Sequence, residues 1–131
     1  MTLRFLLDTH IVVWWLYEPR KLAREQVRIL REAERFADPA AISAASLVEI
    51  ATMLAEGRHH ARMEDLFEQL ETIPIFRVLP ITIPIAQDTA ALSILRDPAD
   101  RTIVTTARVH RLRLLTSDQR IIDSKLVSVI D

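Results

Sequence analysis

The chain has 131 residues, of which 50% are hydrophobic and 27% charged, and its formal net charge is −1. This length supports one domain with its own core, and the small net charge excludes a protein drawn to nucleic acid by its overall field. The absence of cysteine excludes disulfides, thiolate metal sites and cysteine nucleophiles. No apolar run reaches the roughly 18 residues of a membrane span, so we expect a cytoplasmic protein formed by a single domain over residues 1–131, with no membrane contact.

Short apolar runs alternate with helical patterns along the chain. We predict helices at residues 10–17, 21–36, 46–55, 63–71, 84–95 and 97–110, with Gly57 after the third and Pro84 opening the fifth. We predict strands at residues 3–7, 40–44, 75–79, 112–116 and 126–130. Because helices separate the strands, parallel pairing through right-handed crossovers is expected. The predicted fold class is therefore α/β, a three-layer α/β/α domain around a central parallel sheet of about five short strands.

Four acidic residues follow predicted strands or begin predicted helices: Asp8, Glu49, Asp100 and Asp118. The carboxyl ends of parallel strands border the crevice in which α/β folds place their chemistry. Four carboxylates in one crevice would repel one another strongly unless a cation neutralised them. Oxygen-only ligands suit Mg²⁺ or Mn²⁺, which bind through few carboxylates together with a substrate phosphate. The pattern therefore predicts metal-dependent hydrolysis of phosphodiester bonds.

Three of these acids also have a structural explanation when each is considered alone. Ser46 and Glu49 match a capping box, in which two side chains satisfy backbone donors at a helix start. Asp100 matches the third position of a helix after an Asp97-Pro98 start, where an acid favours the helix dipole. Asp118 could cap a short turn of helix.

Asp8 is harder to explain by capping. It directly follows a run expected to form a central strand, where an unpaired carboxylate costs several kcal/mol. No lysine or arginine stands beside it, and Thr9 could cap the following helix without it. A functional role is therefore the favoured interpretation of Asp8.

Four stretches of the chain resemble the PIN domain family and, within it, the VapC toxins of type II toxin–antitoxin pairs. They follow the order and spacing of that family, and the likeness covers nearly the whole chain. The stretches are residues 6–16 (LLDTHIVVWWL), 42–51 (ISAASLVEIA), 97–107 (DPADRTIVTTA) and 114–118 (LLTSD).

The resemblance implies a metal-dependent ribonuclease in which Asp8, Glu49, Asp100 and Asp118 are the catalytic and metal-binding quartet. Asp8 and Asp100 match the positions most often credited with holding Mg²⁺, and Thr116 matches a supporting hydroxyl residue. It also implies a dimer or a toxin–antitoxin hetero-oligomer, with a VapB-type antitoxin whose tail fills the acidic groove. The sequence departs from the family's usual residues at Ala99, where a bulky aromatic is common, and at residues 105–106, where Thr-Thr replaces Ala-Gln. These departures concern helix packing and leave the acids intact.

Other residues near the quartet are harder to assign. Arg101 follows Asp100 directly and either orients a neighbouring carboxylate or pairs at the surface. His10 is left outside the quartet, because imidazole suits softer ions and its side chain is expected to point away from the crevice.

Arginines recur at helical spacing between residues 20 and 35 and would share one face of the predicted second helix: Arg20, Arg24, Arg28, Arg31 and Arg35. A solvated face is the favoured interpretation, and a surface that tracks RNA phosphates is the alternative. Residues 58–62 and the group Arg108, Arg111 and Arg113 are rival basic patches.

Two other functions compete with a nuclease. A PIN-like module could bind RNA or a protein without cleaving anything, although it would then have no reason to keep four mutually repelling acids. A phosphotransfer domain of the receiver or haloacid-dehalogenase type is disfavoured, because Thr9 rather than an acid follows Asp8 and Lys125 is the only late lysine.

Overall fold

The computed structural model of the protein describes residues 2–131, and a five-stranded parallel sheet forms its centre. The strand order is β3-β2-β1-β4-β5. Each strand lies inside one of the predicted runs and is one to three residues shorter than it, so the predicted sheet is confirmed. The strands are β1 (Phe5–Leu7), β2 (Ala40–Ser43), β3 (Phe76–Leu79), β4 (Arg113–Leu115) and β5 (Val129–Ile130).

Seven α-helices surround the sheet, and none of those described is long and apolar enough to cross a bilayer. Two short 3₁₀ turns lie at Pro19–Lys21 and Thr89–Ala91. The helices are α1 (Thr9–Tyr17), α2 (Arg24–Phe36), α3 (Ala44–Ala55), α4 (Met63–Thr72), α5 (Ile83–Asp88), α6 (Pro98–His110) and α7 (Gln119–Ser124).

Successive strand residues point to opposite faces of the sheet and bury two separate clusters. Leu7 and Leu115 belong to a cluster with apolar residues of α1 to α4. Leu6 and Leu114 belong to a second cluster with residues of α6 and α7. Because strands covered on both faces must be apolar throughout, the short runs in the sequence and the three-layer α/β/α architecture have the same cause.

The order in which strands are added to the sheet switches sides at β1. The chain passes from β1 to β2 and β3 on one side, and later returns to place β4 and β5 on the other. Such a switch point leaves a crevice beyond the carboxyl ends of the strands on either side of it. Asp8 and Thr116 directly follow β1 and β4 and therefore lie at this crevice.

Two predicted helix limits are wrong. The second helix begins at Arg24 rather than at residue 21, because the 3₁₀ turn and an extended Leu22 precede it, so Arg20 lies outside α2. The fifth helix ends at Asp88 rather than at Leu95, and residues 89–91 form a 3₁₀ turn. Leu92 and Leu95 are buried in the second cluster, so tertiary packing rather than helix propensity sets the path of this segment.

Two predicted helix starts also need correction. The N-cap of α3 is Ser43, whose Oγ accepts from the Ala45 amide at 3.1 Å, so Ser46 lies inside the helix and the predicted Ser46–Glu49 capping box is absent. Thr9 does not cap α1 but is its first residue. Asp8 is the cap, and its carboxylate accepts from the Thr9 amide at 2.8 Å.

Candidate active site

A cleft of about 440 Å³ opens at the carboxyl ends of β1 and β4. Its lining includes all four predicted acids, Asp8, Glu49, Asp100 and Asp118, and a fifth acid, Asp97. These side chains come from the end of β1, the middle of α3, the first turn of α6 and the cap of α7. Segments that are distant in sequence therefore place their carboxylates around one space.

Asp8 is fixed at the floor of the cleft by two hydrogen bonds. Its Oδ1 accepts from the Thr9 amide at 2.8 Å, and its Oδ2 accepts from Thr116 Oγ1 at 2.7 Å. The residue is 8% exposed. Burial raises the pKa of Asp8 and outweighs the lowering effect of the two hydrogen bonds, and the nearby Asp118 carboxylate raises it further.

Thr116 links two acids through one hydroxyl group. Its Oγ1 donates to Asp8 and accepts from the Asp118 amide at 3.0 Å. The main chain of Thr116 is fixed in turn by the buried Gln26 of α2, whose Nε2 donates to the carbonyls of Thr116 at 3.2 Å and Ile130 at 2.9 Å. Thr116 therefore contacts two of the predicted acids, and the supporting role that the family resemblance implies for it stays a prediction.

Glu49 is held by a hydrogen bond from Thr9. Thr9 Oγ1 donates to Glu49 Oε1 at 2.5 Å and also lies 3.0 Å from the buried Ser46 Oγ. Burial is the largest cause of a raised Glu49 pKa, and the charges of Asp8 and Asp97 add to it, whereas the Thr9 hydrogen bond lowers it. Glu49 therefore points into the cleft rather than back to a helix start.

Asp100 has a strongly raised pKa. It is the third residue of α6 and is 8% exposed, and Asp97 caps the helix by accepting from the Ala99 amide at 2.8 Å. Burial, followed by the charges of Asp97, Asp118 and Asp8, raises the pKa of Asp100 to about 7, against a lowering effect of Arg120. Arg120 therefore offsets only part of the combined effect of burial and neighbouring carboxylates on Asp100.

Asp118 differs from the other acids because an arginine neutralises it. It caps α7 by accepting from the Arg120 amide at 2.9 Å, as the sequence predicted for a short helical turn. Burial alone would raise its pKa, but the hydrogen bonds and charge of the Arg120 side chain outweigh burial and lower it. The guanidinium lies 3.2 Å and 3.0 Å from the two carboxylate oxygens of Asp118.

The PIN domain family matches residues 5–125, a span that includes β1 to β4, all seven helices and every acid of the cleft. The chain belongs to the PIN domain family. Its sequence is 34% identical to Ribonuclease VapC22 of Mycobacterium tuberculosis over 118 residues, which cover 88% of each chain. The likeness to VapC-type PIN domains that four stretches of the sequence indicated is therefore confirmed.

Solved structures share the fold of this PIN domain over almost its whole length. FitAcB from Neisseria gonorrhoeae superposes with a TM-score of 0.72 at 24% identity, covering 97% of this chain and 96% of that one. VapBC2 from Rickettsia felis, bound to a DNA fragment from its promoter, has a TM-score of 0.72 at 13% identity and covers 98% of both chains. A toxin–antitoxin complex from Klebsiella pneumoniae has a TM-score of 0.66 at 24% identity, covering 96% and 95%.

Two predictions about residues next to the quartet differ from the structure of the PIN domain. Arg101 does not orient a carboxylate, because its Nε donates to the Leu95 carbonyl. His10 does not point away from the crevice, since it lines the cleft with its ring 5.6 Å from that of Trp14. When protonated, His10 lowers the pKa values of Asp8 and Glu49.

Three contributors to the site were missed from the sequence: Thr9, Gln26 and Arg120. Thr9 was considered only as a cap. Gln26 had a detectable signal, because it occupies the apolar side of α2 at helical spacing from Ile29 and Leu30. Arg120 had a weaker signal, as the basic residue that soon follows the LLTSD stretch.

The donor atoms of the cleft fit a hard divalent cation better than any softer metal. Within residues 2–131, no three acidic or histidine side chains are already grouped closely enough to hold one ion. Mg²⁺ tolerates this arrangement, because it keeps several waters and binds through one or two carboxylates. Burial, followed by the charges of neighbouring carboxylates, raises the Asp100 pKa to about 7, and a bound cation would favour the ionised carboxylate against both effects.

Proposed function

We propose that this PIN domain is a metal-dependent endoribonuclease and the toxin of a VapBC-type toxin–antitoxin pair. The observation that carries the proposal is the meeting of Asp8, Glu49, Asp100 and Asp118 in one cleft, with poorly neutralised charge. The identity with Ribonuclease VapC22 supports RNA as the substrate. The toxin–antitoxin complexes among its structural neighbours support an antitoxin partner.

We assign the four acids as the set that would hold Mg²⁺ or Mn²⁺, with one or two carboxylates contacting the ion directly and the others through its waters. When bound, the ion supplies Lewis acidity that activates water and stabilises the charge that develops on the scissile phosphate. The chain contributes the orientation of its acids: the Thr116 hydroxyl holds Asp8, and the Thr9 hydroxyl holds Glu49. Because both carboxylates are already hydrogen-bonded, little rotational freedom remains for them to lose when an ion binds.

Two further parts of the proposal concern partners. A VapB-type antitoxin would cover the acidic cleft, and the toxin would assemble as a homodimer or as a toxin–antitoxin hetero-oligomer. Co-expression with any short protein that a reading frame next to this gene encodes tests the first part. The account expects a stable complex in which RNA cleavage is suppressed, whereas an uninhibited nuclease would contradict the toxin assignment.

Cleavage of labelled RNA by the purified chain tests the nuclease directly. Cleavage is expected with Mg²⁺ or Mn²⁺ and should stop with a chelator. Asp8→Asn should abolish it, whereas Asp123→Asn, which changes an exposed acid outside the cleft, should leave it unchanged. RNA binding with neither cleavage nor metal affinity would instead identify a non-catalytic binding module.

A further inference from the structure

Arg120 forms the ion pairs that the quartet makes within residues 2–131. Its Nε and Nη2 contact the two oxygens of Asp118 at 3.2 Å and 3.0 Å, in the fork geometry that suits a carboxylate. Its Nη2 also lies 3.5 Å from Oδ2 of Asp100. One guanidinium thus stands between two of the acids proposed to hold an ion.

These ion pairs contribute little to the fold. The Arg120 side chain is 72% exposed, and ion pairs at such positions contribute little to stability. The cap of α7 depends on the Arg120 amide, which Asp118 accepts whatever side chain residue 120 carries. The guanidinium is therefore free to leave its carboxylates without unfolding the helix start.

Arg58, the other arginine that lines the cleft, forms its ion pair with an acid outside the quartet. Its partner is Glu56, at 2.9 Å. Among the arginines that the structure shows lining the cleft, Arg120 is therefore the one that would compete with an ion for the oxygens of Asp118 and Asp100. Its amide stays anchored at the cleft, so a displaced guanidinium would remain beside the acids, where the phosphate of a bound RNA strand would lie. Arginine suits that contact because it pairs with phosphate in a bidentate fashion.

We propose that Arg120 neutralises Asp118 and Asp100 before an ion binds and then transfers to a phosphate of the RNA substrate. Arg120 is thus a substrate-binding residue, and metal binding would move its guanidinium from the two carboxylates to the RNA phosphate. The inference rests on the proposed metal-dependent ribonuclease and names one residue that would contact its substrate.

Two measurements on Arg120→Gln test the exchange, with Arg28→Gln as the matched control. Arg28 is also an exposed arginine paired with two acids, Glu25 and Glu32, but it lies on α2 outside the cleft. The first measurement is Mn²⁺ titration calorimetry at fixed ionic strength without RNA. Arg120→Gln should bind Mn²⁺ about three- to tenfold more tightly than the wild type, because the competing cation is gone. Arg28→Gln should match the wild type.

The second measurement is the KM for RNA at saturating Mn²⁺. Arg120→Gln should raise KM about tenfold, and Arg120→Lys should fall between it and the wild type, because it keeps the charge but loses the fork. Mn²⁺ affinity or KM equal to the wild-type value in Arg120→Gln would overturn the inference, as would equal changes in Arg28→Gln. If the wild type binds no Mn²⁺, the proposed function itself fails. If it binds Mn²⁺ and cleaves RNA while Arg120→Gln behaves identically, only the role of Arg120 fails.

Discussion

The acidic cleft and the arginine-rich face of α2 carry opposite charges and stand in opposite relations to water. In the cleft, Asp8 and Asp100 are each 8% exposed, and their pKa values are raised by burial. On α2, the arginines are exposed, and Arg28 is neutralised by Glu25 and Glu32 of the same helix. The α2 face has acids and arginines paired on the same helix, whereas the cleft holds buried acids that Arg120 neutralises only in part.

The difference in burial helps to distinguish charged residues proposed to have a function from charged residues that only face solvent. The arginines of α2 recur at helical spacing, whereas the acids of the cleft are far apart in the sequence, and composition does not say which set has a function. Burial does, because a carboxylate withdrawn from water is costly unless it is compensated. We therefore place the chemistry in the cleft and regard the α2 face as solvated.

The largest expected effect is that of Asp100→Asn on RNA cleavage, which should fall about a hundredfold or more. The thermal midpoint of the metal-free variant should stay the same or rise, because the change removes one of several mutually repelling charges. Cleavage assays and thermal unfolding measure the two effects. Glu32→Gln on the α2 face is the control and should leave cleavage unchanged. A large loss of stability in Asp100→Asn would mean that the acid serves the helix start instead.

Thr116→Val should have the next largest effect. It removes the hydroxyl that donates to Asp8 and accepts from the Asp118 amide, so we expect about a ten- to hundredfold loss of Mn²⁺ affinity and activity. The buried Asp8 carboxylate also loses a partner, which should lower the free energy of unfolding by about 1–3 kcal/mol. Thr116→Ser keeps the hydroxyl and should recover most of both quantities. Calorimetry and denaturant unfolding provide the readouts, and a serine variant as impaired as the valine variant would contradict this role.

A smaller effect should appear in the pH dependence of stability without metal. The pKa of Asp100 is about 7 in the folded protein and near 3.8 without the fold, so the folded state holds this proton more tightly. Its contribution is fully present below about pH 3.8 and is lost as pH rises toward 7. The thermal midpoint of Asp100→Asn minus that of the wild type should therefore grow from pH 4 to 7 and then level off. A difference that is constant over this range would contradict a pKa of Asp100 raised by burial and by its neighbouring carboxylates.

The smallest effect is expected on the α2 face. Arg31→Gln should change the free energy of unfolding by less than about 0.5 kcal/mol, because the residue is exposed. The KM for RNA should change less than about twofold if this face is only solvated. Denaturant unfolding and steady-state kinetics measure both. A severalfold rise in KM would show instead that RNA phosphates follow α2.

The sequence specified the elements of this fold better than their exact ends. All five strands lie inside predicted apolar runs. A strand that is buried on both faces of the sheet needs consecutive apolar residues, and such a run is visible in the sequence. The start of α3 was misplaced because Ser43 and Ser46 are equally suitable caps by residue type. Only the path of the backbone decides which serine meets a free amide.

Four of the five acids of the cleft were predicted from the sequence, but Asp97 and several contacts around the acids were not. Asp8 stood out because few structural roles explain a carboxylate placed directly after a central strand. The contacts of Thr9 with Glu49 and of Gln26 with the Thr116 carbonyl join segments that are distant along the chain. No local spacing encodes such pairs. Arg101 had been given two alternatives, a neighbouring carboxylate or a surface pair, and its Nε donates instead to the Leu95 carbonyl, because adjacent helical residues do not share a direction.

Calorimetric titration of the metal-free wild type with Mn²⁺ at pH 7, in two buffers of different ionisation enthalpy, tests the central claim most directly. Asp100 is partly protonated at this pH, so ion binding should release a fraction of a proton and give heats that differ between the buffers. Saturable binding with proton release is the result we predict. The absence of Mn²⁺ binding in both buffers would contradict the assignment of the cleft as a metal-dependent nuclease site.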